Sequence, residues 1–280
     1  MKKSIAPIFP IQAIHPDVCK GLSVFFTDID DTLTWNGLVP AVSLRGIERL
    51  ADAGVAVVPV TGRPAGWCDH IARMWPVAAV IGENGAFYFS YNRERKEMRR
   101  VFLQSEAERK AAQERRLSLT AAVEKRFSFA RRASDQPFRM TDTAIDIRED
   151  RESLTKEELG ELCGFLEREG AHYKVSSIHV NFWFGRYDKR VCLEQYLMER
   201  STERRSKKNG PFDPARALFI GDSPNDEPLF AALPHTVAVS NIEPYLPALT
   251  HKPAYITTFP SADGFIETID CLLEKREALS

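Results

Sequence analysis

Two aspartates set two residues apart, Asp28 and Asp30, follow the apolar run Val24-Phe25-Phe26. An unbroken apolar run of this kind reads as a buried strand. If the backbone stays extended beyond it, Asp28 and Asp30 project to the same side. Two carboxylates at the end of a buried strand repel each other unless a proton or a cation sits between them. A hard divalent cation, which takes oxygen ligands, would relieve the repulsion and could bind phosphate as well. A solitary Asp-x-Asp is common in solvated turns, so the rest of the sequence decides whether this pair does chemistry.

Three further segments place polar groups just beyond an apolar strand. Val55 to Val60 runs into Thr61-Gly62-Arg63, and Lys189 follows the run from Ile178 to Phe184. Ala217 to Ile220 runs into Gly221-Asp222-Ser223-Pro224-Asn225-Asp226. In an open parallel sheet the carboxyl ends of the strands share one edge, and groups placed there converge. Each side chain alone has a plainer role: a turn for Thr61, an exposed ion pair for Lys189, a helix cap for Asp222. Their conjunction argues for a site.

These four patterns, D-x-D-x-T-L, T-G-R, a lone Lys and G-D-x-x-N-D, resemble the four motifs of the haloacid dehalogenase superfamily of phosphohydrolases. The resemblance covers almost the whole chain. Ile81-Gly82-Glu83-Asn84-Gly85-Ala86 and Ala262-Asp263-Gly264-Phe265 are similar to the subgroup with a large cap between the second and third motifs, which includes many sugar-phosphate phosphatases. The resemblance implies an α/β fold: a Rossmann-like parallel-sheet core carrying an inserted α/β cap domain. It implies Asp28 as nucleophile and Asp30 as general acid and base, both working on phosphate. It implies Mg²⁺ held by Asp28, the backbone carbonyl of Asp30, and Asp222. Thr61 and Lys189 would meet the phosphoryl group, Gly62, Arg63, Asn84 and Asn225 would line the substrate, and Asp226 would brace the site as an acceptor for Lys189 or for metal-bound water. Asp31 stands where many relatives have glycine.

A retained acid at Asp30 favours phosphate-ester hydrolysis or phosphoryl transfer between sugar positions. The implied activity is that of a phosphoric monoester hydrolase acting through an aspartyl-phosphate on a small phosphorylated metabolite, such as a sugar phosphate or a mannosyl-phosphoglycerate-like ester. A sugar phosphomutase using the same aspartates, or a non-catalytic binding module on this fold, are the alternatives.

Composition agrees with a soluble globular protein, at 44% apolar and 28% charged residues. A formal net charge of −1 gives no reason to expect nucleic acid or membrane as the partner. The five cysteines are scattered with no C-x-x-C pair, which suits a reducing, cytoplasmic setting. Met1-Lys2-Lys3 is followed by Pro7 and Pro10, a poor signal peptide, and no apolar run is long enough for a bilayer.

The elements that would position the site can be read in order. Residues 1 to 22 lack periodicity and read as a loosely packed lead-in. Trp35-Asn36-Gly37 reads as a hairpin tip, with Trp35 a candidate for facing substrate. Leu44, Ile47, Leu50 and Ala51 have helical spacing, stopped by Gly54. Pro59 implies that pairing has ended on one side of the Val55 to Val60 strand. A helix over 65–75, a strand from Val77 to Ile81 and an extended Phe87 to Phe89 follow. The charged stretch Asn92 to Arg100 reads as the start of an insertion. Within it lie a helix over 105–124, a strand at Ala144, Ile145 and Ile147, and a capping box at Thr155 to Glu158. Leu159, Leu162, Cys163 and Leu166 continue that helix, ahead of strands Tyr173 to Ser176 and Ile178 to Phe184. The division is core 1–89, cap 90–186 and core 187–280, with hinges near Tyr91 to Arg95 and Gly185 to Asp188. Lys125, Arg126, Arg131, Arg132 and Arg139 form a basic segment that either binds an anionic substrate or is a solvated face. A polar linker is expected from Ser206 to Gly210.

Overall fold

The computed structural model describes residues 7–205 and 212–278, so the expected linker lies outside the described residues. In chain order the strands are β1 (Phe9–Pro10), β2 (Val24–Thr27), β3 (Ala56–Pro59), β4 (Val80–Gly82), β5 (Phe87–Asn92), β6 (Glu97–Phe102), β7 (Thr143–Asp146), β8 (His172–Val175), β9 (His179–Trp183), β10 (Ala217–Gly221), β11 (His235–Ala238) and β12 (Tyr255–Ile256). The α-helices are α1 (Pro16–Gly21), α2 (Ala41–Asp52), α3 (Ala65–Met74), α4 (Glu106–Arg126), α5 (Lys156–Arg168), α6 (Lys189–Arg205), α7 (Glu227–Ala232) and α8 (Ser261–Glu277).

Six strands in the order β1-β12-β11-β10-β2-β3 form one sheet in which every pairing is parallel. Successive residues of β2 face opposite ways. Phe25 packs with Val57, Ile220 and Phe265, while Val24 and Phe26 pack with Val58, Phe219 and Leu229. Both faces are covered, so apolar residues are favoured at every position, and the strands appear in the sequence as continuous runs. Burying each such phenylalanine contributes roughly 1.5–3 kcal/mol. The sheet places the ends of β2, β3 and β10 side by side, which is what the site requires.

Residues 7–22 are not the loose lead-in that the sequence suggests. Phe9 and Pro10 pair with β12 at the sheet edge, and Ile11, Ile14, Cys19 and Leu22 are buried in the core. Arg276 of α8 donates to the carbonyls of Cys19 and Leu22 at 3.1 and 3.0 Å. A two-residue strand and a six-residue helix are too short to show a period, so only burial reveals them.

Pro59 thins the pairing at the outer edge of β3 without ending it. Ala78 still donates to Val57 O, and Thr61 donates to Ile81 O, both at 2.9 Å. Strands β4, β5 and β6 form a separate antiparallel sheet. Tyr91 to Arg95, expected as the first hinge, instead span the end of β5 and the turn into β6. Phe87, Phe89, Met98, Phe102 and Leu103 pack against the main core, so the chain leaves that core only after Leu103.

The inserted elements have their own sheet, β7-β9-β8, antiparallel throughout. Its cluster contains Leu119, Val123, Ile145, Leu162, Leu166, Val180 and Phe182. Helices α4 and α5 both start with complete capping boxes, Ser105/Glu108 and Thr155/Glu158. Among the described residues no helix is long and apolar enough to cross a membrane.

Candidate active site

The ladder carries Asp28 to the sheet edge: its N–H donates to Ile220 O at 2.9 Å, one residue past the end of β2. The extended chain stops there. Thr32 and Leu33 donate back to Ile29 O, and Asp31 takes a left-handed conformation at φ 56°. Aspartate tolerates that region better than most residues with a side chain, which accounts for an acid at a position where glycine would be easiest. Asp28 and Asp30 nevertheless line one cleft of about 520 Å³, together with Gly62, Arg63, Asn84, Asp222 and Asn225.

Lys189, the first residue of α6, lies between two carboxylates. Its Nζ donates to Asp28 Oδ1 at 2.7 Å and to Asp226 Oδ1 at 2.8 Å. The second oxygen of Asp226 accepts from the N–H of Asp222 at 3.1 Å. Asp226 is fully buried, and it fits there because residue 221 is glycine: a Cβ on Gly221 would sit 2.4 Å from Asp226 Oδ2. Asp222 accepts from Thr32 Oγ1 at 3.2 Å and from Asn241 Nδ2 at 3.3 Å.

Lys189 owes its place to another glycine. Gly85 has φ 99°, and a Cβ there would lie 2.1 Å from the carbonyl oxygen of Asp188. Gly85→Ala is therefore expected to displace the start of α6 and to destabilise the fold by about 3 kcal/mol, a strained backbone adding to an overpacked contact. Thermal unfolding together with turnover checks this. An alanine variant with parental stability and activity would mean that the 188–189 backbone yields freely.

Asp28, Asp222 and Asp226 bring carboxylate oxygens within 4.8 Å of one another, all buried. Burial pushes the Asp28 carboxyl up, to about 8; Lys189 pulls it down, and the charges of Asp226 and Asp30 raise it further. Burial and then Asp28 and Asp226 hold Asp222 well above the usual carboxylate range. Lys189 loses charge stability to burial, yet Asp226 and Asp28 keep its ammonium above the ordinary value. One ammonium among three buried carboxylates leaves negative charge in excess. An oxygen-only donor set with that excess fits a hard divalent cation. Asp226 commits both oxygens to Lys189 and to backbone N–H groups, so Asp28 and Asp222 are the carboxylates with capacity for an ion.

Other predicted residues fall in varied places. Thr61 is fully buried; its N–H goes to Ile81 O and its Oγ1 accepts from the N–H of Arg63 at 3.0 Å. Its N–H therefore does not point into the cleft. Asn225 accepts from Ser223 Oγ at 2.8 Å, and Asn84 lies 3.5 Å from Asp142 Oδ2. Trp35 lines a different groove, with Gln12, Val42 and Phe259.

Of the basic segment, Arg132 pairs with Glu124 at 2.7 Å, and Arg139 is buried between Asp135 and Asp142 with its NH1 on Gly62 O at 3.0 Å. None of its five residues lines the cleft. The cations that do so from the insertion are Arg148 and Lys174, which the sequence reading missed. They sit in connecting or edge segments with no periodic signal. His179 and Asn181, on the strand that leads toward Lys189, also line it. The buried carboxylate of Glu83, at φ 42°, accepts from the N–H groups of Ala65, Met140, Thr141 and Asp142, and so ties the insertion to the core.

The pattern of the haloacid dehalogenase-like hydrolases matches residues 25–184. A phosphoglycolate phosphatase of Methanobrevibacter smithii is 28% identical over 250 residues, spanning 87% of this chain and 95% of that protein. Among solved structures, a Thermoplasma acidophilum protein superposes with a TM-score of 0.66 at 18% identity, over 90% of this chain and 98% of the other. The sucrose-phosphatase of Synechocystis, solved with sucrose and phosphate, gives 0.60 at 16% identity, over 89% and 97%. At such identities the structural likeness speaks to the fold.

Proposed function

This chain belongs to the haloacid dehalogenase-like hydrolases, and from that premise we propose that it is a Mg²⁺-dependent phosphatase of a small phosphorylated metabolite, working through an aspartyl-phosphate on Asp28. The observation that carries the proposal is the buried contact of Lys189 with both Asp28 and Asp226, Asp28 itself lining a cleft together with Asp30 and Asp222. We take the cap as residues 104 to 186, since β6 and Leu103 pack with the core.

In this reading Lys189 holds the Asp28 carboxylate in place while one of its oxygens forms a bond to phosphorus. The bond from phosphorus to the leaving oxygen breaks, and Asp30 gives its proton to that oxygen. Asp30 then takes a proton from a water that attacks the phosphorus, which frees phosphate and restores Asp28. A divalent cation held by Asp28, Asp222 and the carbonyl of Asp30 would supply positive charge against the carboxylate and phosphoryl oxygens. Thr61 acts here by fixing the turn that presents Gly62 and Arg63. The insertion covers the cleft and excludes bulk water during transfer.

The leaving group would lie toward Arg148 and Lys174, neither of which has an ion-pair partner within the described residues. A leaving group with its own negative charge fits them, as does the carboxylate-bearing substrate in the name of the archaeal relative. Sugar phosphates and a mannosyl-phosphoglycerate-like ester remain within the class. A reducing compartment, the cytoplasm, fits five free cysteines, four of them buried.

The experiment is a panel of phosphorylated metabolites, phosphoglycolate and sugar phosphates included, assayed for phosphate release with and without Mg²⁺. Release should require Mg²⁺, cease in excess chelator, and be inhibited by Ca²⁺, which takes more ligands in looser geometry. Full activity in chelator would overturn the metal assignment, and isomerised product without phosphate would make the enzyme a mutase.

A further inference from the structure

Arg63 has every part of its guanidinium committed. Its Nε and NH2 donate to Asp30 Oδ1 at 3.1 and 2.8 Å, and Nε also reaches Oδ2 at 3.1 Å. Its NH1 donates to Glu149 Oε1 at 2.7 Å. One face of the group lies 4.4 Å from the ring centre of Trp67. The Arg63 side chain is only 6% exposed, so this arrangement is held in a protein environment rather than in free solvent. A planar fork that is fixed at all three points holds its partner carboxylate in one orientation.

Two of the three fixed points belong to the core, and the third, Glu149, is in the insertion. A second group lies close to Glu149, and the backbone that carries it is fixed. Its other oxygen lies 2.9 Å from Nε2 of the buried His179. The buried carboxylate of Asp146 accepts from the N–H groups of Arg148, Glu149 and Asp150, at 2.9, 2.8 and 3.1 Å, and fixes the loop after β7. His179, then Arg63, hold the Glu149 carboxyl down at about 2, so it remains a charged partner for Arg63 throughout the working range.

We infer that Glu149 is a positioning residue for Asp30, acting through Arg63, so that the acid–base group is aligned only while the cap lies against the core. With the cap lifted, Arg63 would lose the anchor on NH1 and its fork could swing away from Asp30. Cap closure would thus do more than exclude water: it would complete the proton-transfer geometry. The inference rests on the reading of Asp30 as acid and base, and the test below separates the two.

The measurement is kcat/KM, which stops at the first irreversible step, for an alkyl phosphate and for an aryl phosphate. The aryl leaving group needs little protonation. The proteins are the parent, Glu149→Gln, Asp30→Asn and the double variant, each checked by thermal unfolding. Glu149→Gln should lose about 10- to 100-fold on the alkyl ester, the scale of a misplaced catalytic group, and little on the aryl ester. In the Asp30→Asn background the same change should cost almost nothing, because its effect runs through Asp30. Arg63→Lys, which keeps the charge and removes the fork, should reproduce the leaving-group-selective loss and carries the test if Glu149→Gln folds poorly. Equal loss on both esters, or the same loss with and without Asp30, would make Glu149 a binding or structural residue and overturn the inference. Absence of a leaving-group effect in Asp30→Asn itself would instead overturn the acid–base reading on which the inference stands.

Discussion

Asp28→Asn should abolish phosphate release, by at least about 10⁴-fold, while the protein stays folded. The amide cannot form the acyl-phosphate, and groups that act as one catalytic unit fail together when the nucleophile is removed. The substitution is nearly isosteric, and its carbonyl oxygen can still accept from Lys189 where Asp28 Oδ1 does now, at 2.7 Å. It also removes one of three crowded, buried carboxylates, where the charge of Asp226 raises the Asp28 carboxyl and the charges of Asp28 and Asp226 raise that of Asp222. Taking a charge out of such a site lowers the desolvation cost of the folded state. The metal-free variant is therefore expected to unfold at the parent's temperature or above it. Loss of activity with loss of fold would leave Asp28 as a structural residue only, and turnover near the parental level would take it out of the reaction.

Asp30→Asn should be the second largest effect, about 10²–10⁴-fold on kcat/KM for an alkyl phosphate, the usual range for general acid catalysis. The loss should shrink for an aryl phosphate, whose leaving oxygen departs without help. Asparagine keeps an oxygen for the Arg63 fork, so position is largely retained while the transferable proton is lost. Unequal losses identify a proton donor. Equal losses would show that Asp30 serves binding or the hold on Arg63 and has no part in protonating the leaving group.

Much of this architecture is legible in the sequence because the site hangs on strand ends. A buried parallel strand writes itself as an unbroken apolar run, and the first polar residue beyond it marks the sheet edge. That is how Asp28, Thr61 and Asp222 can be placed just beyond strand ends without coordinates. The insertion is legible for a related reason: α4 and α5 carry capping boxes, which are local signals. What stays hidden depends on contacts between segments distant in sequence. Arg63 looks like part of a turn motif, and only the fold brings Glu149, 86 positions away, to its NH1. Glu83 reads as one letter of a glycine-rich turn, yet it accepts from the backbone of residues 140–142. The basic run around Arg131 stood out by density, whereas Arg148 and Lys174 face the cleft singly, and density says nothing about direction. The segment around Ile11 and Ile14 stays hidden because its elements are no longer than one period.

The central claim is a phosphoryl group carried on Asp28, and trapping it is the most direct test. The enzyme would be mixed with radiolabelled substrate and Mg²⁺, quenched in acid within a single turnover, digested, and its peptides mapped by mass spectrometry. The account predicts that label appears on the peptide containing Asp28, forms and decays at rates compatible with turnover, and is absent in Asp28→Asn. Label on another residue, or phosphate released from an active enzyme whose Asp28 peptide is never labelled, would contradict it.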